Sequence, residues 1–110
     1  MTSRIPLEAG ADIPKGAVDA LRRGEIVAYP TETLYGLAVD PRQPVAVARL
    51  RRVKGRGLRL GLPLIAGSLT QVESELGSLP RLGRRLAETF WPGPLTLIFM
   101  PSADIDAAIT

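Results

Sequence analysis

Helix-spaced and strand-like apolar segments take turns along this chain, and a proline or glycine closes nearly every one of them. That punctuation limits the fold severely, because neither a long helical bundle nor a meander of equal strands can be cut from it. PKGAVDALRR, residues 14–23, predicts a short helix with Pro14 in its first turn, Ala17, Val18 and Leu21 on one face, and Gly24 as the stop. EIVAY, 25–29, predicts a strand bounded by Pro30. LYGLAV, which follows the PTET turn, predicts a second strand in which Gly36 allows close backbone approach. Asp40, Pro41 and Pro44 mark an exit loop. PVAVARLRRV, 44–53, puts Ala46, Leu50 and Val53 on one helical stripe and Arg49, Arg51 and Arg52 away from it. Three glycines in KGRGLRLG, 54–61, interrupt that helix and free the backbone to approach a ligand. LPLIA, 62–66, predicts a short buried strand. Helical patterns follow over roughly 69–76 and 80–90, the second with Leu82, Leu86 and Phe90 at four-residue spacing; WPGP, 91–94, ends it, and LTLIFM, 95–100, predicts a last strand. Alternating helices and strands define an α/β domain.

At 110 residues there is room for one domain. No apolar run approaches the roughly 20 residues of a membrane span, and the N-terminus lacks the apolar middle of a signal peptide, so a cytoplasmic setting is expected. Cysteine and histidine are both absent. Disulfides, thiolate catalysis and cysteine-ligated zinc are thereby excluded, along with the commonest general base. Carboxylates, hydroxyls, Lys, Arg and backbone amides remain, a set suited to handling phosphate. The net charge of +3 is unevenly spread. No acid lies between Asp40 and Glu73, where Arg42, Arg49, Arg51, Arg52, Lys54, Arg56 and Arg59 give +7, while seven basic and eleven acidic residues elsewhere give −4. A field of one sign over that interval points to an anionic partner, nucleotide phosphate or nucleic acid; a solvated helix face is the plain alternative.

Two constellations could carry chemistry. In PTET, Pro30 fixes its own φ, and Thr31, Glu32 and Thr33 offer two hydroxyls and a carboxylate at a strand end, where ligands of α/β folds tend to sit. Taken in isolation, the same residues more simply form a turn whose side chains bond their own backbone. In KGRG, an extended backbone would send Lys54 and Arg56 to one side, letting an ammonium and a guanidinium converge on a polyphosphate; the spacing is not that of a Walker loop. Trp91 in WPGP is open to two readings, a base-stacking platform or a core residue closing an apolar helix face.

Taken in order, EIVAYPTETLYGLAVDP, KGRG, LPLIAG and FWPGPLTLIF resemble the YrdC-like threonylcarbamoyl-AMP synthases. The resemblance runs from about residue 14 onward, leaving 1–13 as an N-terminal extension, and covers about the first half of the family's domain. It implies a twisted open mixed sheet with flanking helices, incomplete at the C-terminus. It implies an enzyme, a nucleotidyltransferase joining L-threonine, bicarbonate or carbon dioxide, and ATP into threonylcarbamoyl-adenylate with release of pyrophosphate. That product feeds downstream threonylcarbamoyl-transfer proteins that modify the tRNA adenosine beside the anticodon. By the same resemblance Thr33 contacts the threonine substrate, Thr31 and Glu32 shape its pocket, and Tyr35 lies near it. Lys54 and Arg56 bind the ATP phosphates and stabilise the charge that develops as pyrophosphate leaves. Mg²⁺ is expected with the nucleotide, not in a protein cage, so no metal ligands are assigned. The family's association with tRNA and double-stranded RNA makes Arg49, Arg52 and Arg59 the RNA-facing candidates, and a non-catalytic RNA-binding module or an inactive truncated homologue the competing readings.

The sequence departs from the family pattern in places. Gly57 stands where proline usually follows KxR, and Leu60 where a polar residue often reaches the nucleotide. The RvP-type segment and the Ser-x-Asn motif of the family's second half do not occur before Thr110. A fragment, a truncated gene product and a short homologue that dimerises over its sheet edge all fit that pattern.

Overall fold

Pro14 opens the first helix, α1 (Lys15–Arg22), in a computed structural model that describes residues 4–6, 12–55 and 61–102. The helix ends where Gly24 turns the chain at φ 78°. A Cβ there would meet Gln43 Oε1 at 2.7 Å, so glycine serves both the left-handed turn and the close approach. β1 (Val27–Tyr29) and β2 (Gly36–Ala38) then pair antiparallel in the register Val27–Ala38, Ala28–Leu37, Tyr29–Gly36. Both strands lie inside the predicted segments, trimmed at their ends. An Asp40-Pro41-Arg42-Gln43 turn follows, closed by Gln43 N donating to Asp40 O at 3.1 Å and by Arg42 N donating to the Asp40 side chain at 3.0 Å.

α2 (Pro44–Lys54) starts with proline at its first position and ends on Gly55 at φ 65°, ψ 21°. Its buried face is Ala46, Val47, Leu50 and Arg51, while Val53 is exposed. The expected stripe of Ala46, Leu50 and Val53 is thus corrected by a rotation toward Val47. Arg51, expected outside, is only 5% exposed, its long apolar stem following the buried side of the helix.

The chain divides into two compact units, Met1–Leu60 and Gly61–Thr110. In the second, α3 (Leu69–Leu76) is capped by Ser68, whose Oγ accepts from Gln71 N at 3.0 Å, while Gln71 Oε1 accepts from Gly67 N at 2.7 Å. This reciprocal pair is a capping box displaced by one residue. α4 (Arg81–Phe90) joins α3 through Arg84, which bonds Glu73 and, at 2.8 Å, Glu88. Val72, Leu79 and Ala87 form the core of this unit, with Leu69, Leu76, Trp91, Leu97 and Phe99 packed on it. Leu82 and Phe90 are exposed, so the predicted stripe of Leu82, Leu86 and Phe90 is corrected to a face centred on Ala87.

Neither 62–66 nor 95–100 is a strand, because neither has a ladder partner among the described residues. The 95–100 segment nevertheless keeps a period of two: Leu95, Leu97 and Phe99 are half-buried, and Thr96, Ile98 and Met100 are exposed. The open sheet of the α/β fold is, among the described residues, the single antiparallel pair β1–β2.

Candidate functional site

The PTET residues occupy the connection from β1 to β2. Tyr29 and Gly36 are the last pair of the ladder, so Pro30 to Tyr35 form a loop whose two ends are fixed to each other. A Cβ on Gly36 would lie 2.8 Å from Tyr29 Cζ, so the Tyr29 ring packs directly over the glycine backbone. Inside the loop, Thr31 does most of the organising. Its Oγ1 donates to Leu34 O, accepts from Thr33 N at 3.2 Å, and lies 3.4 Å from Thr33 Oγ1. Thr31, Glu32, Thr33, Leu34 and Tyr35 are all exposed, Tyr35 by 77%. The self-bonded turn is thus found, with Thr31 bonded into it, while Glu32, Thr33 and Tyr35 are exposed.

Lys54 is the last residue of α2 and is exposed. The extended backbone expected through KGRG is corrected at its first two residues, since Lys54 is helical and Gly55 is left-handed, a conformation that glycine takes without steric cost. Arg56 and Arg59, the other cations assigned to this loop, lie outside the described residues, as do Gly57 and Leu60. Arg49 and Arg52 are exposed on α2, but Arg49 is also structural, donating from Nη1 to Gly24 O at 3.0 Å. Gln43, which sequence reasoning passed over, ties the same elements together. Its Nε2 donates to Leu21 O at 3.2 Å and Arg22 O at 3.0 Å, satisfying carbonyls at the end of α1. Its one sequence signal is an amide residue directly before a helix-opening proline. Nearby, Arg23 grips Glu25 through two hydrogen bonds of 3.3 and 3.1 Å, which hold the Glu25 carboxyl below its usual range.

In the second unit Trp91 is half-buried against the core, and its indole N–H donates to Leu95 O at 2.8 Å. With Leu95 N donating to Gly93 O at 2.9 Å, WPGPL is a closed turn with the indole as its clasp. Of the two readings of Trp91, the core residue is the one found. Among the described residues, no three carboxylates gather into a metal cluster and no helix is long and apolar enough to cross a membrane.

A family model named for Sua5, YciO and YrdC, with the description "Telomere recombination", matches residues 19–110. The chain belongs to this family. A threonylcarbamoyl-AMP synthase of Chromohalobacter salexigens is 50% identical over 91 residues, which is 82% of this chain and 49% of that protein. One from Thiobacillus denitrificans is 45% identical over 78 residues, 71% of this chain and 42% of the relative. The crystal structure of P. abyssi Sua5 complexed with L-threonine superposes with a TM-score of 0.78 at 38% identity, over 86% of this chain and 28% of that one. The Sua5/YciO/YrdC fold class follows from that agreement. The chain spans about half the length of the curated relatives it matches.

Proposed function

We propose that this chain carries the threonine-contacting turn and the phosphate-contacting lysine of a threonylcarbamoyl-AMP synthase. The observation that carries this reading is the exposed Glu32, Thr33 and Tyr35 edge of a turn fixed by Thr31, in a family whose relatives bear that name. A Sua5 protein complexed with L-threonine supports the same assignment. In this reading Thr33 contacts threonine, Glu32 and Tyr35 border it, and Lys54 with Arg56 binds ATP.

The reaction forms a carbamate from threonine and bicarbonate or carbon dioxide and transfers adenylate to it, releasing pyrophosphate. Charge builds on the departing pyrophosphate, and fixed cations stabilise it without a proton-transferring imidazole. Mg²⁺ arrives with the nucleotide, and the product serves tRNA threonylcarbamoylation in the cytoplasm.

The test is pyrophosphate release in the presence of ATP, L-threonine and bicarbonate. Release should require both co-substrates and should fall by about tenfold or more in Lys54→Ala and Arg56→Ala. Arg49→Ala should chiefly lower stability, because its guanidinium is bonded to Gly24 O. Release that persists without threonine would end the synthase reading. Exposed Arg52 and Lys54 on α2 favour a second reading, an RNA-binding face. Equal losses in all three variants, with RNA affinity falling steeply as salt rises, would favour it.

A further inference from the structure

The residue before a helix commonly turns its side chain onto the helix it opens, where the first N–H groups lack partners. Gln43 is the N-cap of α2, yet its side chain makes no capping bond to α2. It reaches back to the previous helix instead. Its Nε2 donates to Leu21 O at 3.2 Å and to Arg22 O at 3.0 Å, with Asp40 Oδ2 at the limit of contact, 3.5 Å. These three acceptors fix which way round the amide lies, because reversing it would set Oε1 against two carbonyls and a carboxylate. A Cβ at Gly24 would come within 2.7 Å of Oε1, so the carboxamide fills the notch that glycine leaves. One residue thus closes the end of α1 with its side chain while its backbone opens α2, Gln43 O accepting from Val47 N at 3.1 Å.

The other holds on α2 are less directional. Ala46, Val47 and Leu50 bury its inner face, and apolar contact sets no angle. Arg49 bonds Gly24 O through a long, exposed side chain, a tether with many rotamers. The helix is 11 residues long, so Lys54 lies about 16 Å from Gln43 along the axis. A tilt of about 10° at Gln43 would carry Lys54 by about 3 Å, enough to part an ammonium from a phosphate oxygen.

We propose that Gln43 is a positioning residue whose carboxamide sets the direction of α2 from the end of α1, and so sets where Lys54 meets a nucleotide phosphate. The phosphate side of this proposal rests on the reading given above; the setting of α2 does not.

Gln43→Ser separates positioning from stability, because serine is a favoured N-cap that serves α2 itself but is too short to reach α1. Gln43→Met, which keeps the length and loses the donors, is the second variant. The chain has no cysteine, so spin labels on Lys15→Cys and Val53→Cys report the distance from α1 to the end of α2 without interference. The parent should give one narrow distance distribution and both variants a broadened or displaced one, while Gln43→Ser keeps a denaturation midpoint near the parent's. An unchanged distribution in a folded variant overturns the positioning role whatever binds, and so does failure of both variants to fold, which would make Gln43 a stability residue only. ATP affinity is then compared in the unlabelled 110-residue chain. Gln43→Ser and Gln43→Met should weaken it about three- to tenfold and Lys54→Ala at least as much, whereas Gln43→Ser combined with Lys54→Ala should lose no more than Lys54→Ala alone. Losses that add in the double variant, or no loss beside a broadened distribution, overturn the action through Lys54 and leave the phosphate reading intact. A Lys54→Ala chain that binds ATP as the parent does, or a parent that binds none, removes the phosphate reading and the Lys54 half of the proposal with it, while the distance distribution still decides what Gln43 does for α2.

Discussion

Gly77 shows how much one residue can hold. Its φ of 88° and ψ of 176° lie in a region that only glycine occupies freely, and a Cβ there would run into Ser102, 2.9 Å from its Cβ and 3.3 Å from its Cα. Gly77→Ala should therefore lower the stability of the second unit by about 1–3 kcal/mol from the backbone alone. Chemical denaturation would show it as a lower midpoint. Repeating the change in a Ser102→Gly background should return only the collision part, so full recovery would contradict the backbone account. At the same scale, the PTET turn divides labour between residues of one type: Thr31 is spent on the loop and Thr33 is presented by it. Which threonine does which is invisible in the letters, because it depends on which hydroxyl the folded turn brings to Leu34 O and Thr33 N.

Helices were legible in the sequence because their signals are local. Pro14, Pro44, Ser68 and Gly55 set starts and stops within a residue or so of those expected. Strands were legible only where a partner lies close in the chain, as β1 and β2 do across one loop. LPLIA and LTLIFM have the composition of strands, but a strand is a relation between two segments, and neither has its counterpart among the described residues. The helix faces carry a phase shift from the expected stripes: Val47 and Ala87 are buried, whereas Val53, Leu82 and Phe90 turn out exposed. The place of PTET in a connecting loop and the exposure of Arg49 and Arg52 on α2 were legible in the sequence, whereas the role of Gln43 was not, because its bonds run to carbonyls distant in sequence. At WPGPL, Trp91→Phe keeps an aromatic ring but loses the bond to Leu95 O and part of the packed ring area. A loss of about 1 kcal/mol in thermal or denaturant unfolding is expected. A change near zero would mean that the indole N–H bond contributes nothing measurable.

Among the described residues, large apolar side chains stand uncovered. Ile98 and Met100 are 97% and 86% exposed, and Ile65, Leu82 and Phe90 are also exposed. Scattered singly such residues are ordinary, but two on one side of a strand-like segment form a surface that attracts its own kind. Sedimentation velocity should show association as concentration rises, and Ile98→Lys should hold the chain monomeric at concentrations where the parent associates. A parent that stays monomeric throughout would sink this expectation. The bond from Ser102 N to Leu76 O, 3.0 Å, also bears on how the second unit is expected to fold. The backbone bonds of α3 and α4 join near neighbours in the chain, whereas that bond closes a loop containing the whole of α4, the Trp91 turn and the Leu97–Phe99 segment. Closing so long a loop costs entropy before its contacts repay it. The second unit should thus assemble as a helical pair first, with the stretch after Trp91 laid across it as the last and rate-setting act.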